Sequence, residues 1–236
     1  ALHWDGVQWS VVPSPNVGEL NNRLLDVVAI SSNDVWAVGE ADLNLSNSRQ
    51  SLAMHWDGKA WSITPVPQVS SFSGLRATAA TSSDNVWAVG YGSSNGLSQP
   101  ILHWNGKEWK IATVPKFERG EQLYDITVAR PNDVWAVGSR NGTSGGSARV
   151  ETLALHWDGS QWTVASSPNP GRENHFYAIA AITSDDIWAV GDSFLEETMI
   201  QRWNGNDWSV VSKPDLALRI LRLSDATTLG DRLWLT

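Results

Sequence analysis

The chain is a succession of short apolar runs cut by polar turns, and the same four runs return in the same order. In one copy, Leu75 to Thr81 (LRATAAT) is followed by Asn85 to Gly90 (NVWAVG), Ile101 to Trp104 (ILHW) and Glu108 to Val114 (EWKIATV). Runs of this length, rich in Val, Ile, Thr and Trp and bounded by Gly, Asn, Asp and Pro, predict β-strands. No segment holds a helical apolar period over the roughly 10 to 12 residues a helix needs. An Asp-Gly or Asn-Gly pair at Asp5, Asp57, Asn105, Asp158 and Asn204 predicts a tight hairpin between the third and fourth strands of each copy.

The most regular run is NDVWAVG at Asn33 to Gly39, with near-copies ending at Gly90, Gly138 and Gly191. Tryptophan marks the period. All 15 fall in three columns: Trp4, Trp56, Trp104, Trp157 and Trp203; Trp9, Trp61, Trp109, Trp162 and Trp208; and Trp36, Trp87, Trp135, Trp188 and, in a worn copy, Trp234. Successive copies lie 46 to 53 residues apart, a period that signals a propeller or a solenoid. With strands lettered a to d from the axis outward, the chain opens with c and d, runs through four full units and ends with a and b, twenty strands in all. The complementary ends predict one all-β domain over residues 1–236. It is a β-propeller of five four-stranded blades, its ring closed by the C-terminal a-b strands pairing with the N-terminal c-d strands. The Trp columns are expected in the core, with c and d rings packed across each hairpin.

The apolar strand ending in Gly, a variable loop, an aromatic-Asp turn and a following Trp resemble the kelch family of β-propellers. The matching residues are Val35 to Gly39, His55 to Gly58 and Trp61, with their counterparts in each blade, so nearly the whole chain is covered. The family's Gly-Gly doublet is absent: Glu40, Tyr91, Ser139 and Asp192 follow the four glycines. The resemblance implies blade topology and, in most members, a binding scaffold; fold alone names no activity.

Composition narrows the function. A formal charge of −8 argues against nucleic acid and anionic membrane surfaces, and no apolar run approaches the roughly 20 residues that span a bilayer. There is no cysteine, hence no thiol chemistry. No phosphate loop, HExxH or GxSxG stretch occurs, and no cofactor is called for. Asn44-Leu45-Ser46 and Asn141-Gly142-Thr143 match a glycosylation pattern at the frequency chance supplies. His3, His55, His103 and His156 share a column on the outer c strands, where they point around a wheel and cannot meet one metal ion, so they read as packing residues. Asp34, Asp133 and Asp186, in the short a-b links, read as acceptors for turn N–H groups.

The a-b and c-d links are short and alike in every blade, whereas the b-c and d-a links are long and differ, and both open on one face. Any recognition belongs there. The candidate ligand-binding residues are Arg76, Tyr91, Tyr124, Arg172, His175, Tyr177 and Asp192, with Arg49, Arg119, Arg140 and Arg149 supplying further donors and Glu40, Glu118 and Glu173 opposing charges. Tyrosine and arginine beside Asp and His suit a glycan or a peptide. Phe176 shares its column with Leu24, Leu75 and Leu123 and reads as core. The sequence therefore predicts a non-catalytic, monomeric binding scaffold for a carbohydrate, peptide or protein, with an extracellular or cell-surface setting favoured over the cytoplasm. The alternatives are a repeat module without its own ligand, or a five-bladed glycoside hydrolase. The latter needs two carboxylates about a glycosidic bond, for which Asp26 and Asp125 are the available pair.

Overall fold

The computed structural model describes residues 1–18, 20–43, 48–67, 73–92, 101–117, 120–144, 147–193, 197–212 and 223–236. Within them every regular element is a strand. β1 (Leu2–Trp4) and β2 (Trp9–Val11) form a hairpin at one end. Four antiparallel sheets follow in simple chain order. The first is β3 (Asn22–Ser31), β4 (Asp34–Asp42), β5 (Arg49–Trp56) and β6 (Trp61–Ile63). The second is β7 (Ser73–Ser82), β8 (Asn85–Gly92), β9 (Ile101–Trp104) and β10 (Trp109–Ile111). The third is β11 (Glu121–Arg130), β12 (Asp133–Ser144), β13 (Ser147–Trp157) and β14 (Trp162–Ala165). The fourth is β15 (Asn174–Thr183), β16 (Asp186–Ser193), β17 (Glu197–Trp203) and β18 (Trp208–Val210). β19 (Ala226–Leu229) and β20 (Arg232–Leu235) form a last two-stranded sheet. The final a strand thus begins later than Leu218, in the stretch whose first residues, up to 222, lie outside those described.

The c-d hairpins owe their shape to the predicted pair. In each, the Asp or Asn Oδ1 accepts from the N–H groups two and three residues on, at 2.8–3.0 Å, and the Gly takes a φ of 87° to 98° that other residues resist. The loop has four residues, since Trp56 pairs directly with Trp61 and its counterparts do likewise. The two rings of each pair lie 5.7–6.1 Å apart.

The tryptophan of NDVWAVG is the joint between blades. Trp36 enters the next blade's pair, 4.8 Å from Trp104 and 5.3 Å from Trp109; Trp87 does so with Trp157 and Trp162, and Trp135 with Trp203 and Trp208. The contact with the d-strand ring is near perpendicular each time, an arrangement that the ring quadrupoles favour. The three inserted rings are buried, and with Leu75, Leu123 and Phe176 they anchor the core. Trp4, Trp9 and Trp234, on the terminal hairpins, are 48%, 67% and 59% exposed, so the columns are core only where a neighbouring blade supplies the other half of the joint.

The acids before these tryptophans do not serve as turn acceptors in the described bonds. Asp34, Asn85 and Asp133 each hold the Nε2 of the c-strand histidine (His55, His103, His156) at 2.8 Å, and Asp186 holds Arg202 Nε at 2.7 Å. Three of these Oδ1 atoms also accept the indole N–H of Trp87, Trp135 or Trp188. The imidazoles lie over the tryptophans at 4.0–4.6 Å, which confirms their packing role.

The glycine closing the motif is required by a close approach. A Cβ on Gly39, Gly90, Gly138 or Gly191 would overlap the backbone carbonyl oxygen of Arg23, Gly74, Gln122 or His175 on the neighbouring a strand. At this place the a strands of the four complete blades bulge. The a-b register skips one residue between Leu24 and Asp26, Leu75 and Ala77, Leu123 and Asp125, and Phe176 and Ala178. Residues of β3, β7, β11, β15 and β19 line one central cavity of about 300 Å³.

Candidate ligand-binding site

The residues skipped by those bulges are Leu25, Arg76, Tyr124 and Tyr177. A bulge breaks the pleat and re-aims the extra side chain. The bulge recurs in four successive blades, and in three of them the extra side chains, Arg76, Tyr124 and Tyr177, meet. The Arg76 guanidinium carbon stands 4.8 Å from the centre of the Tyr124 ring and 5.0 Å from that of Tyr91, which projects from the end of β8. Tyr124 in turn meets Tyr177 edge-to-face at 5.4 Å, and Tyr177 stacks on His175 at 5.7 Å with the planes nearly parallel. These five residues form an unbroken arc across three blades.

The arc is buttressed by charge. Glu40, buried where it follows Gly39, receives Arg23 Nη1 at 3.2 Å, Arg49 Nη1 at 3.0 Å and the Tyr91 hydroxyl. Arg49 also bonds Asp42 at 2.9 Å and the Tyr91 hydroxyl at 2.9 Å. Burial, helped by the Glu40 carboxylate, raises the Tyr91 phenol above its ordinary pKa and keeps it a neutral donor. At the other end the Tyr177 hydroxyl donates to both oxygens of Asp192, which is buried, and Tyr124 donates to Gln122 Oε1 at 2.5 Å. His175 Nδ1 is buried without a hydrogen-bond partner among the described residues. Arg76 makes no hydrogen bond or ion pair among them; its contacts are the two tyrosine faces.

Six of the seven expected site residues are thus brought together: Arg76, Tyr91, Tyr124, His175 and Tyr177 in the arc, and Asp192 beneath it. Arg172 is not among them. It is exposed on the d-a link, its carbonyl accepting from Val150 N at 3.2 Å, and it lines a separate groove of about 320 Å³ with Asn141, Arg149 and Glu173. Glu118 and Arg119 lie outside the described residues. Sequence reasoning missed Gln122 and counted Glu40, which stands where the kelch doublet has its second glycine, only as an opposing charge and not as a hub.

The channel carboxylates have a different task. Asp26 accepts the N–H of Val27 at 2.8 Å and, across the blade boundary, that of Thr78 at 2.7 Å; Asp125 holds Ile126 N and Ile179 N at 2.8 Å each. Both are raised above the ordinary carboxylate pKa by burial, Asp125 to about 7. Each staples its own a strand to the next. Asp225 repeats the local half of the pattern, accepting Ala226 N at 2.8 Å. Among the described residues no group of three or more His, Cys, Asp or Glu is placed to hold a metal ion.

The sequence matches no protein-family model and no curated protein. Solved structures do match. A structure titled YCF48 bound to D1 peptide superposes with a TM-score of 0.57 at 14% identity, over 95% of this chain and 65% of that one. The fucose-specific lectin of Aleuria aurantia does so with a TM-score of 0.58 at 13% identity, over 89% and 70%; a further structure of that lectin is described as a six-bladed β-propeller. A Dyadobacter fermentans protein of unknown function matches with a TM-score of 0.61 at 12% identity, over 95% and 77%. At such identities the likeness establishes the fold: this chain is an all-β propeller. It spans about two thirds to three quarters of the length of these three structures.

Proposed function

We propose that the chain is a non-catalytic binding scaffold that takes a peptide or glycan at the loop-face rim of its channel. The observation that carries this reading is the repeated bulge, which turns Arg76, Tyr124 and Tyr177 from three different blades onto one surface. A fold needs no such convergence for stability, and each bulge forgoes ladder pairing. Similar propellers with a bound peptide and with fucose specificity support a binding role for the architecture. The hydrolase alternative is weakened because Asp26 and Asp125 are engaged as staples between blades. Peptide and glycan arrays probed with the wild type and with a Tyr124→Ala, Tyr177→Ala variant test the site. A ligand lost in the variant supports it; a ligand retained in full by a folded variant refutes it.

The ring itself is proposed to contain five blades, closed by the terminal hairpins. Among the described residues, Trp188 lies in no tryptophan pair, its face instead covered by Arg202 at 5.4 Å, and Trp56 and Trp61 receive no inserted ring. The exposed Trp4–Trp9 pair and the exposed Trp234 are the complementary halves. A cavity of about 340 Å³, lined by Trp56, Trp61, Val27, Val35 and Leu2, lies beside the unfilled joint.

A further inference from the structure

We propose that Arg76 is a carboxylate receptor and that the ligand of the rim is an acidic peptide. The inference rests on the rim being the binding site and specifies what it selects. The guanidinium carbon lies over two ring faces, Tyr91 at 5.0 Å and Tyr124 at 4.8 Å, so two aromatic contacts hold the cation in place while its N–H groups meet no acceptor among the described residues. The guanidinium N–H groups form a planar fork matched to the two oxygens of a carboxylate. The internal carboxylates that would neutralise it are committed elsewhere: Glu40 to Arg23, Arg49 and Tyr91, Asp42 to Arg49, and Asp192 to Tyr177. A guanidinium held over two tyrosine rings yet without a bonded acceptor among the described residues is pre-organised for one that arrives from outside.

The same packing disfavours a neutral sugar. A pyranose ring binds tyrosine by lying on an open face, and Tyr124 has one face against Arg76 and meets Tyr177 edge-to-face. A peptide carboxylate needs no open ring face, only the N–H groups of the cation.

The test is a titration followed through the arginine Nε–Hε NMR signals, with Arg76 assigned from the spectrum of Arg76→Lys. The probes are acetyl-Glu-Ala-Asp, its uncharged copy acetyl-Gln-Ala-Asn-amide, and glucuronate. The Arg76 signal is expected to move saturably with the acidic peptide and to stay in place with the neutral one. Because a hydrogen bond to a charged group contributes more than a neutral one, Arg76→Gln is expected to weaken binding about tenfold or more, and Arg76→Lys by less. Equal shifts from the acidic and neutral peptides overturn the carboxylate assignment, as does a response confined to Arg149 and Arg172. A shift with glucuronate alone overturns the peptide. An array ligand that depends on Tyr124 and Tyr177 but not on acidic groups leaves the rim standing and removes this inference; silence in both experiments removes both.

Discussion

Replacing Asp125 by asparagine tests whether the inter-blade staples carry a cost when ionised. Asp125 lies on β11 at the channel that four other a strands also line, and burial there is the largest influence on its carboxyl. The bonds from Ile179 and Ile126 favour the charged form; burial and the charges of Asp26 and Asp225 oppose it and prevail, lifting the pKa from 3.8 to about 7. The sign follows. The folded state holds the proton across a window in which the unfolded chain has released it, so this group's contribution to stability is full below pH 3.8 and declines as pH rises toward about 7. The slope is at most about 1.4 kcal/mol per pH unit, hence roughly 3 kcal/mol between pH 5 and pH 7, and screening by channel solvent brings it to about 1 to 3 kcal/mol. Asparagine has the carboxyl's shape and cannot ionise; its NH2, unlike a carboxyl oxygen, cannot accept, but that loss is the same at every pH and leaves the slope to report Asp125. The assay is urea unfolding of both proteins from pH 5 to pH 8, with m-values compared. The wild type is expected to lose stability relative to Asp125→Asn as pH rises, then to run parallel above about pH 7. A difference constant to within about 0.5 kcal/mol over that range, an error typical of additive comparison, refutes the reasoning: the two backbone bonds would then outweigh burial.

Gly138→Ala is expected to be severely destabilising, beyond the roughly 3 kcal/mol of ordinary substitutions, because its Cβ meets the Gln122 carbonyl oxygen of the bulge; a melting temperature near wild type would show that the bulge yields. Trp135→Ala is expected to cost about 3 to 5 kcal/mol in denaturant melts, from lost contacts and a cavity at the joint. If the terminal hairpins close the ring, Trp234 fills the seat at Trp56 and Trp61 and Trp234→Ala costs a similar amount; a cost below about 1 kcal/mol, as for an exposed ring, refutes closure.

The repeat made the blades legible because each requirement behind it is local and identical in every copy. A hairpin needs Asp or Asn followed by Gly, a strand needs alternating Val, Ile and Trp, and a joint needs a ring where a ring must enter, so Trp36, Trp87 and Trp135 announce themselves in one dimension. The candidate face was legible for the complementary reason: loops that differ where strands agree carry what stability does not dictate. What one dimension could not express was register across strands and contact between blades. Nothing local distinguishes Arg76, Tyr124 and Tyr177 from ordinary strand residues until the a strand slips by one against β8, β12 and β16 and their side chains leave the pleat together. Only then do Gly90, Gly138 and Gly191 explain themselves as the space beneath the slip, and only then does a Glu at position 40 become a hub for two arginines and a tyrosine drawn from two blades. Arg172 stood beside His175 in sequence and fell to another groove, because it precedes β15 on the link while His175 lies within the strand. Asp34 and its counterparts looked like turn acceptors because their partners, His55, His103, His156 and Arg202, lie on the next strand, 16 to 23 residues along the chain. Periodicity along the chain determined which residues form blades; the offset between neighbouring strands decided which of them face a ligand, since a one-residue slip reverses a side chain's direction without altering its sequence neighbours.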